Sequence, residues 1–159
     1  MRIKTLLADR SELARVGLRC ILEPVPRIHL VGEAYDAVEM QAKIEGLQPD
    51  VVLIDHTAEG FGADAVRDAL RKFPRTRFVA ITPDPSQMAL MSALRAGVSS
   101  YIKKDCKRDE IIDSVLYTGD GQKFFCGKIL RAIEAASLQP DKLFRPALDC
   151  NPVTLSERE

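Results

Sequence analysis

The sequence predicts an α/β fold, a five-stranded parallel sheet with helices on both faces. Three observations predict it. Five short apolar runs alternate with longer amphipathic segments. The third run, Val51-Val52-Leu53-Ile54, is apolar throughout, as a strand buried on both faces must be. Strand–helix alternation repeated five times also demands crossover connections, which belong to parallel sheets.

The elements follow in order. Residues 3–8 form the first run, and Leu13, Val16, Gly17, Cys20 and Ile21 then recur at helical spacing. Residues 29–34 precede Ala37, Met40, Gln41 and Ile44, with Gly46 placed to end that helix. Residues 51–55 precede Ala65, Ala69 and Leu70. Residues 78–82 precede Leu90, Ala93, Leu94 and Gly97, a second glycine stop. Residues 100–103 precede Ile111, Ile112, Val115 and Leu116. Asp105 is the N-cap candidate there, with Asp109 and Glu110 at the positive end of the helix dipole.

Right-handed crossovers leave few topologies for five strands, and the flavodoxin-like order 2-1-3-4-5 is the natural one. It sets the ends of the first and third strands side by side, so Asp9 and Asp55 face each other across a cleft. A carboxylate beside an apolar core is costly unless it has partners or a task. Asp55 is therefore the residue on which function turns.

Beyond Thr118 the pattern changes. Gly119-Asp120-Gly121 signals a turn, and Phe124, Phe125, Ile129, Leu130 and Ile133 predict one more amphipathic helix over 127–138. Pro140, Pro146 and Pro152 with mixed charges read as a linker. Thr154-Leu155-Ser156-Glu157-Arg158-Glu159 reads as a helix start.

Composition excludes several classes. Lys+Arg and Asp+Glu balance at 23 each among 159 residues, so there is no global basic field for nucleic acid. No apolar run approaches the roughly 20 residues that span a bilayer, and the N-terminus has no signal-peptide pattern. A cytoplasmic protein without a membrane partner is expected. Cys20, Cys106, Cys126 and Cys150 form no CxxC pair, and neither His29 nor His56 lies near them, so reduced thiols are expected rather than a metal site. The first strand is followed by Asp9-Arg10-Ser11-Glu12 with no Gly-rich phosphate loop, which argues against a nucleotide-binding enzyme.

A resemblance now enters on particular residues. Asp9 after strand one, Asp55 after strand three, Thr82 after strand four, and Tyr101 with Lys104 at strand five match the pattern of bacterial two-component receiver domains. Ala93-Leu94-Arg95-Ala96-Gly97-Val98 leading into Tyr101-Ile102-Lys103-Lys104-Asp105 is similar to that family's "ALxAGAxGYLLKD". Leu6-Leu7-Ala8-Asp9 with Val16-Gly17-Leu18 resembles the NarL/FixJ-like branch, which carries a LuxR-type helix-turn-helix. Leu155-Ser156-Glu157-Arg158-Glu159 is similar to the start of that domain.

The resemblance implies a CheY-like receiver over 1–118, an extension helix over 119–138, and a linker with the start of a truncated DNA-binding domain over 139–159. It implies a non-enzymatic phosphorelay module controlling transcription through the attached domain. Asp55 would accept the phosphoryl group, Lys104 would contact its oxygens, and Thr82 with Tyr101 would form the switch. Mg²⁺ would be held by Asp9, Asp55 and the backbone carbonyl of Thr57. A sensor histidine kinase and a second copy of the chain would be its partners, with DNA reached only through the missing domain. The dimer surface would be helix one, helix five or the Phe124-Phe125 segment.

Departures from the pattern pull the other way. The family has two adjacent acids after strand one, whereas Asp9 is followed by Arg10. The metal site is therefore expected to be weak or absent, since a ligand is lost and a cation added. Two placements of Arg10 stay open: a guanidinium paired with Asp55 or Asp9, or a surface arginine pointing away. Thr57-Ala58-Glu59-Gly60-Phe61-Gly62 replaces the family's "MPxMxG", with Glu59 read as a solvated loop acid. Ser100 stands where glycine is frequent. The alternative function is a pseudo-receiver, a phosphorylation-independent interaction or dimerisation module.

Overall fold

The computed structural model describes residues 1–136. Among these residues five strands and six helices follow, alternating until a final pair of helices. They are β1 (Ile3–Ala8), α1 (Glu12–Leu22), β2 (Ile28–Ala34), α2 (Ala37–Leu47), β3 (Val51–Ile54), α3 (Ala63–Lys72), β4 (Arg77–Thr82), α4 (Gln87–Ala96), β5 (Ser100–Lys103), α5 (Arg108–Gly119) and α6 (Gly127–Ala136). The sheet order is β2-β1-β3-β4-β5, and every strand pair is parallel. Fold class and strand order agree with the sequence reading. The expected linker and helix start over 139–159, and the last two residues of the 127–138 helix, lie outside the described residues.

The central strands carry the core. All four residues of β3 are buried, as are Leu6, Leu7, Phe78, Val79 and Ile81 beside them. Helices cover both faces, with Met40 and Ile44 from α2, Val66 and Ala69 from α3, Leu90 and Leu94 from α4, and Ile111 and Val115 from α5. Side-chain hydroxyls and carboxylates cap three helices. Ser11 accepts from the Ala14 amide, Asp36 from Glu39 and Ser86 from Ala89, each at about one hydrogen-bond length. Among the described residues no helix is long and apolar enough to cross a membrane.

Two local expectations need correction. Gly46 lies inside α2, and the left-handed stop is Gln48 at φ 49°. Asp105 does not cap α5. That helix begins after Lys107, whose amide donates to Glu110 Oε1 at 3.1 Å, while Asp105 pairs with Lys128 at 3.1 Å. On α1 the stripe Leu13, Val16 and Cys20 faces solvent, and the buried positions are Leu18 and Leu22. Gly97 does end α4, at φ 111°, with Leu70 so close that a Cβ would meet its Cδ1 at 2.8 Å.

The segment after α5 adds to the sheet. Tyr101 N–H donates to the Phe124 carbonyl at 3.0 Å, and the Cys126 amide donates back to the Tyr101 carbonyl at 3.4 Å. Phe125 bridges Tyr101 in parallel. Ser100 Oγ lies 2.7 Å from the Thr118 hydroxyl and accepts from the Phe124 amide at 2.9 Å. Cys126, Ile129 and Ile133 are buried in the same core as the sheet. α6 is thus tied to the backbone of β5 before its own apolar face packs.

Candidate functional site

The site sits at the carboxyl ends of β1, β3 and β5, where open parallel sheets place ligand chemistry. Two backbone bonds fix the acids next to each other. The Asp9 amide donates to the Ala34 carbonyl, and the Asp55 amide donates to the Ala8 carbonyl, both at 3.0 Å. Asp9 is then held by its neighbours: Oδ1 accepts from the Ser11 amide at 2.9 Å, and its carbonyl accepts from Arg15 Nη1 at 2.6 Å. Asp55 Oδ1 accepts from both the amide and the hydroxyl of Thr57, at 3.0 and 2.5 Å. Both carboxylates are almost wholly buried.

Lys104 closes the cluster. Its amide donates to the Thr82 carbonyl at 2.7 Å, which fixes the base of the side chain at the end of β4. Its Nζ lies 2.9 Å from Asp55 Oδ2 and 2.9 Å from Asp9 Oδ2. Burial works against the ammonium, but hydrogen bonding and charge from Asp55 and then Asp9 outweigh it and raise its pKa. The ammonium therefore stays charged at neutral pH. The contact to Asp55 is a hydrogen bond. The contact to Asp9 is an ion pair off the hydrogen-bonding angle, which leaves Asp9 Oδ2 buried and without a hydrogen-bond partner.

Arg10 takes the surface placement. It is exposed, and its guanidinium carbon stands 5.5 Å from the centre of the Tyr35 ring. Among the described residues it makes no ion pair with Asp9 or Asp55; the cation between those acids is Lys104. Arg10 thus withholds a carboxylate without blocking the cleft. Glu59 is exposed, in line with a solvated loop acid.

Thr82 and Tyr101 come together beneath this cluster. Both are fully buried, and their oxygens are 3.2 Å apart. Thr82 Oγ1 also donates to the Pro83 carbonyl at 3.2 Å. Tyr101 Oη lies 2.8 Å from His56 Nε2, with the two rings edge-to-face at 5.6 Å. Burial raises the Tyr101 pKa and lowers that of His56 despite the nearby Asp55 charge, so both are neutral near pH 7. The role of His56 escapes a sequence reading. One signal was present: His56 is two residues past Ile54, on the same side of the chain as a buried strand residue.

The metal question can be put to these atoms. Two carboxylates and the Thr57 carbonyl are hard oxygen donors of the kind Mg²⁺ takes, and Asp9 Oδ2 is a buried oxygen short of a partner. The residues fit the ion, as a site of few charges: no group of three or more acids, histidines or cysteines is gathered among the described residues.

Known proteins resemble this chain in sequence and in fold. Residues 5–116 match the family described as the response regulator receiver domain. The DNA-binding transcriptional activator DevR/DosR of Mycobacterium tuberculosis is 32% identical over 134 residues, 84% of this chain and 62% of that protein. Response regulator UvrY of Escherichia coli O157:H7 is 28% identical over 158 residues, 99% of this chain and 70% of that protein. The chain thus spans less than two thirds of the length of the first of these relatives. A LuxR-family two-component response regulator from Aurantimonas sp. SI85-9A1 superposes with a TM-score of 0.79 at 25% identity, over 85% of this chain and 97% of that one. The signal receiver domain of the NarL regulator from Mycobacterium tuberculosis gives 0.71 at 28% identity, over 76% of this chain and 98% of that one.

Proposed function

The chain belongs to the response regulator receiver family, and from that premise we propose that Asp55 is its phosphoryl acceptor, with Lys104 and Thr82 as supporting residues. The observation that carries this is the Lys104 ammonium held 2.9 Å from Asp55 Oδ2. Thr57 occupies Oδ1 with two donors, so Oδ2 is the oxygen left to attack. It would form the new O–P bond as the donor's leaving group departs with the bonding electron pair. Lys104 then follows charge from the carboxylate to the phosphoryl oxygens. Thr82 would turn its hydroxyl to another of those oxygens, and Tyr101 would register that turn.

Asp9, Asp55 and the Thr57 carbonyl would hold Mg²⁺. That ion, when bound, neutralises charge on the transferring phosphoryl group. With Arg10 in place of an acid, Asp9 and Asp55 act against the fixed charge of Lys104, and the site is weak.

The wider role follows the relatives. DevR/DosR is a DNA-binding transcriptional activator, and we infer a cytoplasmic signalling module, not an enzyme, that controls a DNA-binding domain. The kinase partner would be a sensor histidine kinase, and a second copy of the chain would complete the output. One observation favours a second reading, the pseudo-receiver: among the described residues only two carboxylates converge, and the single charge of Lys104 already balances one of them.

Intact mass after incubation with a small acyl phosphate and Mg²⁺ separates the two. A single phosphoryl adduct in wild type, lost in Asp55→Ala, is expected. No adduct in wild type, with adduct gained in Arg10→Asp, would establish the pseudo-receiver.

A further inference from the structure

His56, Tyr101, Thr82 and Pro83 form one hydrogen-bonded line, and its direction can be worked out. The Pro83 carbonyl can only accept, so the Thr82 hydroxyl donates to it. With its proton so engaged, Thr82 Oγ1 accepts from the Tyr101 hydroxyl, 3.2 Å away. Tyr101 Oη is then the acceptor for His56 Nε2–H at 2.8 Å. The line runs from the residue next to Asp55 to the residue after Thr82, and each bond polarises the next.

We propose that His56 is a positioning residue that holds Tyr101 inward and commits the Thr82 hydroxyl to Pro83 before any phosphoryl group reaches Asp55. His56 also lines a groove of about 510 Å³ between the β3–α3 loop and α4, bounded by Phe61, Ala63, Asp64, Ala89 and Ser92. The ring itself is buried, and turned toward that groove it would lose the Tyr101 hydroxyl. Tyr101 is held on its other side by backbone bonds to Phe124 and Cys126. His56 therefore sets the side chain of a residue whose backbone anchors α6. The consequence for signalling rests on the reading of Asp55 and Thr82 given above; the positioning itself does not.

Tyrosine and histidine NMR on the unphosphorylated chain tests this. The chain has three tyrosines, and Tyr35 and Tyr117 are about half exposed whereas Tyr101 is fully buried. With ring-labelled tyrosine and a soluble paramagnetic agent, Tyr101 is expected to relax at least tenfold less than Tyr35. In His56→Leu that protection falls to within about twofold of Tyr35, and His56→Gln, which keeps a donor, restores most of it. Long-range ¹⁵N spectra should show His56 as the Nε2–H tautomer. A wild-type Tyr101 relaxed like Tyr35, an Nδ1–H tautomer, or a folded His56→Leu with Tyr101 still fully protected would each overturn the proposal. Should His56→Leu fail to fold, the wild-type tautomer and relaxation decide alone. No phosphoryl donor is involved, so a missing adduct at Asp55 would overturn the phosphoacceptor reading and leave this one standing.

Discussion

Lys104 carries more of the site than any other side chain. It touches Asp9 and Asp55 at equal distance, and about a quarter of it is exposed. In Lys104→Met the two buried carboxylates lose their shared cation. Adduct formation should fall tenfold or more, in keeping with loss of one preorganised charge contact, and stability should drop by about 1–3 kcal/mol, read by denaturant titration. Legibility differed sharply among these residues. Asp9 and Asp55 follow apolar runs that announce their positions, whereas Thr82, Tyr101 and Lys104 stood out only through the resemblance to receiver domains. His56 sits in a loop and finds its partner 45 residues away, a pairing no local spacing encodes. Arg10 was legible as a missing acid but not as a direction: its stacking on Tyr35 depends on the β2–α2 turn.

At the scale of elements, α6 is the part whose attachment the sequence concealed. Its helical pattern is plain, but its anchors are the backbone of Tyr101 and the hydroxyl of Ser100 at the start of β5. Ser100→Ala removes an acceptor for the Phe124 amide and strands the buried Thr118 hydroxyl. Each unsatisfied buried group costs about 1–3 kcal/mol. Amide exchange of residues 124–136 should accelerate selectively, with α1 to α4 unaffected. The pair Lys128–Asp105 is a second, weaker tether, and Lys128 holds the Asp105 carboxyl below its ordinary 3.8. A carboxylate with a lowered pKa contributes above its unfolded value and loses that contribution as pH falls through the lowered one. The difference in α6 exchange between wild type and Lys128→Ala should therefore vanish as the pH drops below 3.8. Helix ends were read less well than helix bodies. Gln48 adopts the left-handed conformation that Gly46 was expected to supply, because the α2 chain continues helical through Leu47. Gly97 is the opposite case. Gly97→Ala meets both a positive φ and Leu70, so a loss of about 1–2 kcal/mol is expected, seen as a lower Tm.

For the whole molecule, parallel topology does two things at once. It buries β3 on both faces, and it gathers residues from strands distant in sequence at the carboxyl end of the sheet. Strand order was readable because strand–helix alternation admits few arrangements. The gathered acids, Asp9 and Asp55, share the one charge of Lys104 in a small volume. On the reading proposed here, Asp55 takes the phosphoryl group. Its most direct test is reductive trapping: treat the wild-type chain with a small acyl phosphate and Mg²⁺, quench with borohydride, and sequence the peptides by mass spectrometry. Conversion of Asp55, and no other acid, to homoserine is the predicted result; an unmodified Asp55 peptide, or trapping at Asp9 instead, would contradict it.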